Sequence, residues 1–268
     1  MSRTARSLLF VPGSRPDRFD KALAAGADAV VIDLEDAVAP ADKDRSREAV
    51  AAWLAPRHPV VLRINGADTG WFGNDLALCR QPGVAAVMLP KAERAADIAA
   101  LLDAGAASVI PLIESAAGMA ALTAIAGAPG VQRLAFGSID FQVDLGMRDA
   151  LEDELLFFRS RLVLASRLAG LQPPIDGVST AIDDADRLRD DVLRARRLGF
   201  GGKLCIHPKQ VASVNLHFAP TEAERAWAQR VLDAAAASGG AAVAVDGKMV
   251  DKPVILRAQA ILQEASDG

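Results

Sequence analysis

The chain has 268 residues, of which 51% are hydrophobic and 24% are charged, and its formal net charge is −4. This composition is ordinary for a globular chain with an ample core, and the length allows one large α/β domain or two small ones. The net charge gives no electrostatic reason to expect nucleic acid as a partner.

The two cysteines, Cys79 and Cys205, are far apart in the sequence and form no C-x-x-C pair. This usage suits a reducing compartment, in which both thiols are buried as small hydrophobic groups. The apolar run near the N-terminus is too short for a secretory signal, and no window is long and apolar enough to span a membrane. We therefore expect a cytoplasmic protein without a membrane partner.

Short apolar runs rich in β-branched residues recur along the chain, separated by segments with helical periodicity. Runs that are apolar along their whole length are typical of parallel strands buried on both faces. The predicted strands are SLLFVP from Ser7, AVVIDLE from Ala29, VVLRIN from Val60, AAVMLPK from Ala85, SVIPLIE from Ser108, RLAFGS from Arg133, PIDGV from Pro174 and GKLCIH from Gly202. The predicted helices include PDRFDKALAAG, SREAVAAWLA, RAADIAALLDAG and ADRLRDDVLRARRLG.

Eight strand–helix units within roughly 210 residues match the size of a (β/α)8 barrel, and a Rossmann sheet is the weaker alternative. We therefore predict an α/β protein with a (β/α)8 TIM barrel over residues 1–220. Residues 221–268 are predicted to form a C-terminal helical segment that packs on the barrel or on a neighbouring subunit.

Each predicted strand finishes in polar residues. In a barrel, all C-terminal strand ends surround one mouth, where the active site lies. These residues are, strand by strand, Ser14 with Arg15, Glu35 with Asp36, Arg63 with Asn65, Lys91, Glu114, Ser138 with Asp140, Asp176, and His207. The same feature on eight consecutive strands indicates an enzyme rather than a surface pattern.

Glu114 and Asp140 follow neighbouring strands and bring two carboxylates together. With no cysteine nearby, this pair favours a hard cation such as Mg²⁺, which commonly takes one or two protein carboxylates and keeps open positions for water and substrate. The alternative is that one of the two acids forms an ion pair with Arg63 or Lys91 and binds no metal. We favour the metal site because both acids stand at strand ends.

Arg63 closes the third predicted strand and points into a site that already holds negative charge. Its guanidinium could bind a substrate carboxylate in two-point fashion or stabilise a developing oxyanion. It could also neutralise Glu35 or Asp36, and both roles are compatible. For Glu35 and Asp36 we favour a supporting role, in which they orient Arg63 or the waters bound to a metal.

Lys91 has the chemistry of a Schiff-base lysine, but beside a metal we favour a structural contact with Asp176 or with the metal site. His207 could act as an acid–base group, and we favour a role in holding the backbone of its loop, because it precedes a proline at a strand end.

The segment from Phe10 to Ala22 is a basic, glycine-containing loop that enters a helix. Its backbone N–H groups together with Arg15, Arg18 and Lys21 could hold phosphates. It lacks the G-K-[ST] of a Walker A loop. Basic residues on a first helix are usually solvated, so this signal is weak taken alone.

The sequence resembles the citrate lyase β-subunit family, within the larger group of HpcH/HpaI-type aldolases. The stretches that carry the resemblance occur in family order over nearly the whole chain. They are LLFVPGSRPDRFDKA, VVIDLEDAVAPADK, VLRINGADTGWFGNDL, VMLPKAE, PLIESAAGM, LAFGSIDFQVDLG, PIDGVST, GFGGKLCIHPKQV and DGKMVDKPV. The resemblance implies a (β/α)8 barrel that assembles as a homo-oligomer, a trimer or a dimer of trimers, and Mg²⁺-dependent cleavage or formation of a C–C bond beside a thioester.

Residue by residue, the resemblance implies that Glu114 and Asp140 bind Mg²⁺ and that Arg63 binds the substrate near the metal. Arg15 and Lys21 would meet the phosphates of coenzyme A or of an acyl-carrier prosthetic group. Asp36 and Glu114 are further candidates for substrate binding. In relatives that act on malyl- or citramalyl-CoA, a C-terminal aspartate from a neighbouring subunit is the acid–base group. The matching residue here is Asp251, which could instead begin a helix before Pro253.

These expectations combine into one predicted activity. A Mg²⁺-dependent lyase would cleave a 3-hydroxy-3-carboxy acyl thioester, such as citramalyl-CoA or malyl-CoA, into a keto acid and an acyl-CoA. The alternatives are a citrate lyase β subunit acting on citryl-ACP, an HpaI-type aldolase of pyruvate or oxaloacetate, and a non-catalytic subunit that binds CoA or a keto acid. Hydrolysis of the thioester after C–C cleavage also stays open.

Overall fold

Eight parallel strands close into a barrel in chain order. The computed structural model describes residues 4–237 and 243–266. The barrel closes because β1 pairs with both β2 and β8, with Ser7 in register with Lys203. The strands are β1 (Ser7–Pro12), β2 (Ala29–Asp33), β3 (Val60–Arg63), β4 (Val84–Leu89), β5 (Val109–Ile113), β6 (Ala135–Phe136), β7 (Ile175–Asp176) and β8 (Gly202–Cys205). The predicted (β/α)8 barrel and all eight predicted strands are confirmed.

Helices connect the strands, as the alternating sequence pattern predicts. They are α1 (Phe19–Leu23), α2 (Lys43–Trp53), α3 (Phe72–Asp75), α4 (Ala95–Asp103), α5 (Ala116–Ala120), α6 (Leu122–Ala126), α7 (Ser138–Asp144), α8 (Leu156–Leu168), α9 (Ala185–Leu198), α10 (Val211–Phe218), α11 (Glu222–Ala237) and α12 (Lys252–Ser266). Short 3-10 helices cover Pro16–Arg18, Pro40–Asp42, Leu76–Leu78 and Pro208–Gln210. No helix within the described ranges is long and apolar enough to cross a membrane.

Helix α9 shows how local sequence fixes these boundaries. The side chain of Asp184 accepts a hydrogen bond from the backbone N–H of Arg187 and caps the first turn. At the other end Gly199 adopts a left-handed backbone conformation with φ of 101°, which glycine tolerates without the steric strain of a side chain. The helix therefore begins and ends at residues with the conformational preferences that those positions require.

Side chains from alternating strand positions fill the inside of the barrel. The buried cluster includes Val31, Val61, Met88 and Leu112. Because side chains two residues apart point to the same face of a strand, this register also turns Asp33 and Arg63 inward at the C-terminal end. Strand β2 ends at Asp33, two residues before the end of the predicted segment.

The chain divides into two units, the barrel over residues 5–215 and a second unit that contains residues 216–268 with the N-terminal residues up to Thr4. In its described part, the second unit contains α11, α12 and a hairpin of β9 (Val243–Val245) with β10 (Lys248–Val250). The sequence prediction of a helical segment omitted this hairpin, although Asp246-Gly247 is a typical two-residue hairpin turn. Its predicted packing on the barrel or on another subunit stays a prediction, and residues 238–242 and 267–268 lie outside the described residues.

Candidate active site

The C-terminal ends of the strands surround a small cavity of about 60 Å³. Arg63 comes from β3, Glu114 follows β5, and Asp140 lies in the first turn of α7, just after β6. The remaining lining residues are Phe10, Leu112, Phe136, Gly137, Ser138, Ile139, Val178 and Leu204. The barrel therefore brings the three residues predicted for metal and substrate binding to one cavity.

Arg63 is held rigidly at the floor of this site. Its Nε and Nη2 atoms donate to the two carboxylate oxygens of Asp33 at 2.7 and 2.6 Å, and its Nη1 lies 2.8 Å from Glu35 Oε2. The guanidinium also lies over the ring of Phe10, 4.7 Å from its centre. Burial alone would lower the pKa of Arg63, but Asp33 and Glu35 more than offset this and raise it, so the side chain stays charged. Two of its five N–H groups donate hydrogen bonds to Asp33, and the contact with Glu35 Oε2 is an ion pair without hydrogen-bond geometry, which leaves donors for a substrate oxygen.

Asp33 is the main partner of Arg63, and sequence reasoning missed it. The carboxylate also accepts hydrogen bonds from the backbone N–H groups of Glu35 and Ala37, at 2.9 and 3.2 Å, which turns the chain away from the sheet. Asp33 and Arg63 are direct neighbours in the register of β2 and β3. Aligning the two predicted strands by their polar ends would have revealed this pair.

Glu35 links Arg63 to Lys91. Its Oε1 lies 3.8 Å from Lys91 Nζ, and burial, opposed by the charge of Arg63, raises its pKa to about 7. The supporting role that we favoured for Glu35 therefore fits its contacts. Asp176, the other partner considered for Lys91, forms its ion pairs with Arg159 and Lys203 instead.

Glu114 occupies the most constrained position in the site. Its Oε1 accepts a hydrogen bond of 2.7 Å from the backbone N–H of Lys91, which has a left-handed backbone with φ of 46°. Such a conformation is strained for lysine and persists only where the surroundings impose it, which is common at functional sites. Burial raises the pKa of Glu114 to about 8, and the negative charge of Glu35 adds to the effect.

Gly137 leaves the space that the Glu114 carboxylate fills. A Cβ atom at this position would lie 2.3 Å from Glu114 Oε2, so any other residue would displace the carboxylate. No hydrogen bond or ion pair involves the Asp140 side chain within residues 4–237 and 243–266. Oε2 of Glu114 and the exposed carboxylate of Asp140 are thus both available to a ligand.

This donor set fits Mg²⁺ better than a transition metal. The described part of the chain contains no cluster of three or more His, Cys, Asp and Glu side chains that could hold a metal ion. Zinc sites usually need three or four such ligands, whereas Mg²⁺ is commonly held by one or two carboxylates and keeps its other positions for water and substrate. A buried carboxylate with a raised pKa also gains from a nearby cation.

Lys43 holds the backbone next to the site, and its sequence context does not predict this role. Its Nζ donates to the backbone oxygens of Leu34 and Glu35 and to the side chain of Asn65, at 2.7, 2.8 and 2.6 Å. The side chain therefore joins the ends of β2 and β3. A lysine at the start of a helix is usually solvated, and only the three-dimensional fold shows that this one is buried.

Other predicted residues lie outside the cavity lining. Arg15 forms a two-point ion pair with Asp17 at the surface, and Lys21 and Asp36 are exposed. The side chain of His207 accepts a hydrogen bond from the backbone N–H of Lys209, which is the loop-holding role that we favoured.

Asp251, in the second unit, is also exposed, and its carboxylate accepts the backbone N–H of Val254 at 3.3 Å, which caps α12. The predicted role of Asp251 as an acid–base group stays a prediction.

Comparison with known proteins gives the family. The sequence profile described as HpcH/HpaI aldolase/citrate lyase matches residues 6–208, which covers the barrel strands and the cavity residues. The chain belongs to the HpcH/HpaI aldolase/citrate lyase family. The suspected resemblance is therefore confirmed at the level of the family.

Two members of the family with curated names cover almost the whole chain. The citrate lyase subunit beta-like protein of Deinococcus radiodurans is 38% identical over 96% of this chain and 96% of its own length. The L-malyl-CoA/beta-methylmalyl-CoA lyase of Cereibacter sphaeroides is 34% identical over 98% of this chain and 95% of its own length.

Among solved structures, the CitE protein of Mycobacterium tuberculosis in complex with magnesium, acetoacetate and coenzyme A has the same fold. It superposes with a TM-score of 0.88 at 36% identity, covering 98% of this chain and 99% of that one. That relative was thus crystallised with the kinds of ligand that the family resemblance implies.

Proposed function

We propose that this protein is a Mg²⁺-dependent carbon–carbon lyase. It cleaves a 3-hydroxy-3-carboxy acyl thioester of the citramalyl-CoA or malyl-CoA type into a keto acid and an acyl-CoA. The observation that carries the proposal is the meeting of Glu114, Asp140 and Arg63 in one cavity at the barrel mouth. The named lyase among the relatives and the magnesium and coenzyme A in a solved relative support it.

Glu114 and Asp140 would hold the Mg²⁺ ion. When bound, the metal supplies a positive charge that lowers the pKa of a chelated hydroxyl and fixes the keto-acid half of the substrate. Asp33 and Glu35 are already engaged with Arg63, so they act on the guanidinium rather than as ligands.

Arg63 would bind the substrate through the donors that Asp33 and Glu35 leave free. When the substrate hydroxyl loses its proton, the electrons of the breaking C–C bond move onto the thioester as an enolate, and the hydroxyl carbon becomes the keto group. A guanidinium fixed before the reaction starts stabilises the charge that develops on oxygen. Atoms balance without water, because the enolate takes up one proton to become the acyl thioester.

Asp251 of a neighbouring copy of the chain is our candidate for the group that protonates the enolate carbon, and in synthesis for the base that removes the same proton. Within the described ranges, its exposed carboxylate accepts one hydrogen bond of 3.3 Å, from the backbone N–H of Val254. Arg15, Arg18 and Lys21 are the candidates for the phosphates of the thioester carrier. For Arg15, phosphate binding would replace its present partner Asp17.

The experiment that tests the proposal is a coupled assay of the purified protein with citramalyl-CoA, malyl-CoA and citrate, with and without Mg²⁺. Release of keto acid and acyl-CoA only with Mg²⁺ would support the proposed lyase, and Asp251→Asn should then lose turnover while still binding Mg²⁺. Release of free CoA would indicate that the protein also hydrolyses the thioester after the C–C bond is cleaved. No turnover of any CoA thioester would contradict the proposal in favour of an acyl-carrier substrate, an aldolase or a binding subunit.

The raised pKa of Glu114 predicts how metal binding depends on pH. A metal ligand must be deprotonated, so protons compete with Mg²⁺ at this carboxyl up to its pKa of about 8. The unfolded chain loses the same proton near pH 4.3, at about the ordinary pKa of glutamate. Without metal, the unfolded state therefore binds fewer protons between these values, and stability falls as pH rises.

We accordingly expect the rise in Tm that Mg²⁺ causes to be larger at about pH 8.5 than at about pH 6. Thermal unfolding with and without Mg²⁺ at both pH values measures this difference. In Glu114→Gln the Mg²⁺ effect should be small at both. An equal Mg²⁺ effect at the two pH values in the unaltered protein would contradict the assignment of Glu114.

We also propose that the protein forms a homo-oligomer through one apolar surface. Of thirteen exposed large hydrophobic residues in the described ranges, eight lie between residues 139 and 168. Those most exposed are Val143, Leu151, Phe157, Leu164 and Leu168, at 76, 69, 62, 60 and 77%. Phe157, Leu164 and Leu168 are seven and four residues apart on α8 and therefore share one face of that helix. An exposed apolar face is typical of an interaction site, and a second copy is the partner always present at the protein's own concentration.

Leu164→Glu is expected to dissociate this assembly, because the glutamate would be buried without a partner in the interface. Sedimentation velocity measures the change in mass. Leu216→Glu is the matched control, since Leu216 is a similarly exposed leucine outside this segment, at 68%. A monomer before substitution, or an unchanged mass after it, would contradict the assigned interface.

A further inference from the structure

The loop after β4, residues 90–93, holds the carboxylate of Glu114 in place. Within the described ranges this carboxylate accepts one hydrogen bond, which joins its Oε1 to the backbone N–H of Lys91 at 2.7 Å. The other oxygen, Oε2, fills the space that Gly137 leaves open. The position of the carboxylate therefore depends on where the loop holds a single N–H group.

Lys91 has a backbone conformation that lysine adopts only at a cost. Pro90 and Lys91 form the turn that follows β4, and the φ of Lys91 is 46°. A positive φ after a turn proline is normally occupied by glycine or asparagine, because most side chains clash with the backbone there. A strained residue of this kind keeps its conformation only where the surrounding contacts impose it. The contacts of the next two residues show how the loop is held.

Ala92 anchors the loop to β5 and brings it close to α5. Its N–H donates to the backbone oxygen of Leu112 at 3.2 Å, and its side chain is buried. A Cβ atom at Gly118 would lie 2.6 Å from the backbone oxygen of Ala92, so the loop can approach α5 this closely because residue 118 is glycine.

Glu93 connects the loop to the residue that follows Glu114. Its Oε1 accepts a hydrogen bond of 2.6 Å from the hydroxyl of Ser115. The same hydroxyl accepts the backbone N–H of Gly118 at 3.1 Å and so caps α5. Hydrogen bonds from a hydroxyl to a carboxylate are among the stronger ones, and here the donor is buried. The bond therefore ties the loop firmly to the segment that carries Glu114.

Two hydrogen bonds thus join the same two segments in opposite directions. Lys91 donates to Glu114, and Ser115 donates to Glu93. Glu93 forms no other hydrogen bond or ion pair within residues 4–237 and 243–266, although it is exposed and could stay in solvent. Without the bond to Glu93, the loop would be free to release the strain at Lys91, and the N–H would turn away from Glu114.

We infer that Glu93 is a positioning residue of the metal site. Its bond to Ser115 holds Lys91 in the left-handed conformation, and Lys91 holds the Glu114 carboxylate where Mg²⁺ would bind. The inference rests on the proposed function, which assigns Glu114 to the metal. It adds a residue that lies outside the cavity lining and acts through Lys91 and Glu114.

The test compares two substitutions of Glu93 that remove the same charge. Glu93→Gln keeps a side-chain oxygen that can accept the Ser115 hydroxyl, whereas Glu93→Ala removes the acceptor. Calorimetric titration with Mg²⁺ should give a Kd for Glu93→Ala that is about fivefold higher than for Glu93→Gln, a difference that one hydrogen bond can supply. Equal Kd values, with only a lower Tm in Glu93→Ala, would mean that the bond merely stabilises the fold and would overturn the inference.

A second pair of variants tests whether the bond acts through the backbone of Lys91. In the Glu93→Ala background, Lys91→Gly should bind Mg²⁺ about fivefold more tightly than Lys91→Ala, because glycine adopts a positive φ without strain and alanine does not. Both substitutions remove the same ammonium group, so its charge cannot explain a difference.

Equal affinities of these two double variants would overturn the inference and leave the assignment of Glu114 to the metal intact. Failure of the unaltered protein to bind Mg²⁺ would overturn that assignment and the inference with it.

Discussion

Glu114→Gln is expected to lower Mg²⁺-dependent turnover by about a thousandfold, which corresponds to about 4 kcal/mol of activation free energy. The substitution keeps the size and shape of the side chain and can still accept the backbone N–H of Lys91, but it removes the charge that holds a cation. Calorimetric titration with Mg²⁺ should show the loss of binding directly, so the result does not depend on knowing the substrate.

The fold should survive this substitution. Burial of the Glu114 carboxylate raises its pKa to about 8, which means that the metal-free site disfavours the charged form. A neutral glutamine is therefore expected to leave the metal-free protein at least as stable at about pH 8.5, as measured by thermal unfolding. A variant that still binds Mg²⁺ with unchanged affinity would remove Glu114 from the metal site.

Asp140 offers a second test with a control on the same helix. Asp140→Asn should weaken Mg²⁺ binding, whereas Asp144→Asn should not, because Asp144 accepts the backbone N–H of Ala116 and does not line the cavity. The two positions are one helical turn apart on α7, so a general effect on the helix would change both variants alike.

Arg63→Lys is expected to reduce kcat by about a hundredfold, because a single ammonium cannot contact Asp33 and Glu35 and still present donors to the substrate. The lysine keeps the positive charge, so Asp33 and Glu35 are not left unpaired. Steady-state kinetics with the identified substrate measures the effect. An unchanged rate would exclude a role for Arg63 in the reaction.

Arg63→Ala would lower kcat and would also destabilise the folded protein, so it is less informative than Arg63→Lys. Removing one partner of a buried ion pair typically destabilises a protein by about 3 to 5 kcal/mol.

Arg47→Lys is the matched control for Arg63→Lys, since Arg47 pairs with the buried Asp75 at 2.8 Å and lies outside the cavity lining. Arg47→Lys should retain turnover, which would show that a lower rate in Arg63→Lys is not a general effect of replacing a paired arginine by lysine.

The barrel and the strand-end residues could be predicted because their signals are local in the sequence. Each strand is a short apolar run, and the polar residue that follows it lies at the mouth once the strands are parallel. Arg63 and Glu114 were found in this way. The hairpin of the second unit was not predicted, because its two strands have only three residues each and lie between longer helical segments, although its Asp-Gly turn is a typical hairpin signal.

The supporting contacts could not be predicted, because they join residues that are distant in the sequence. Lys43 reaches Asn65 across 22 positions, and the backbone N–H of Lys91 reaches Glu114 across 23. The left-handed conformation of Lys91 gives no signal in a residue that usually avoids it.

The clamp on Arg63 has a consequence for how the protein would handle its substrate. A free arginine on a surface samples many rotamers and loses about 2 kcal/mol of rotational entropy when it is fixed. Here two carboxylates and an aromatic ring fix the guanidinium when the chain folds. The entropy loss is therefore part of the free energy of folding and not of the free energy of ligand binding. The guanidinium therefore needs no reorganisation when a ligand binds, and its rotational entropy does not weaken the affinity.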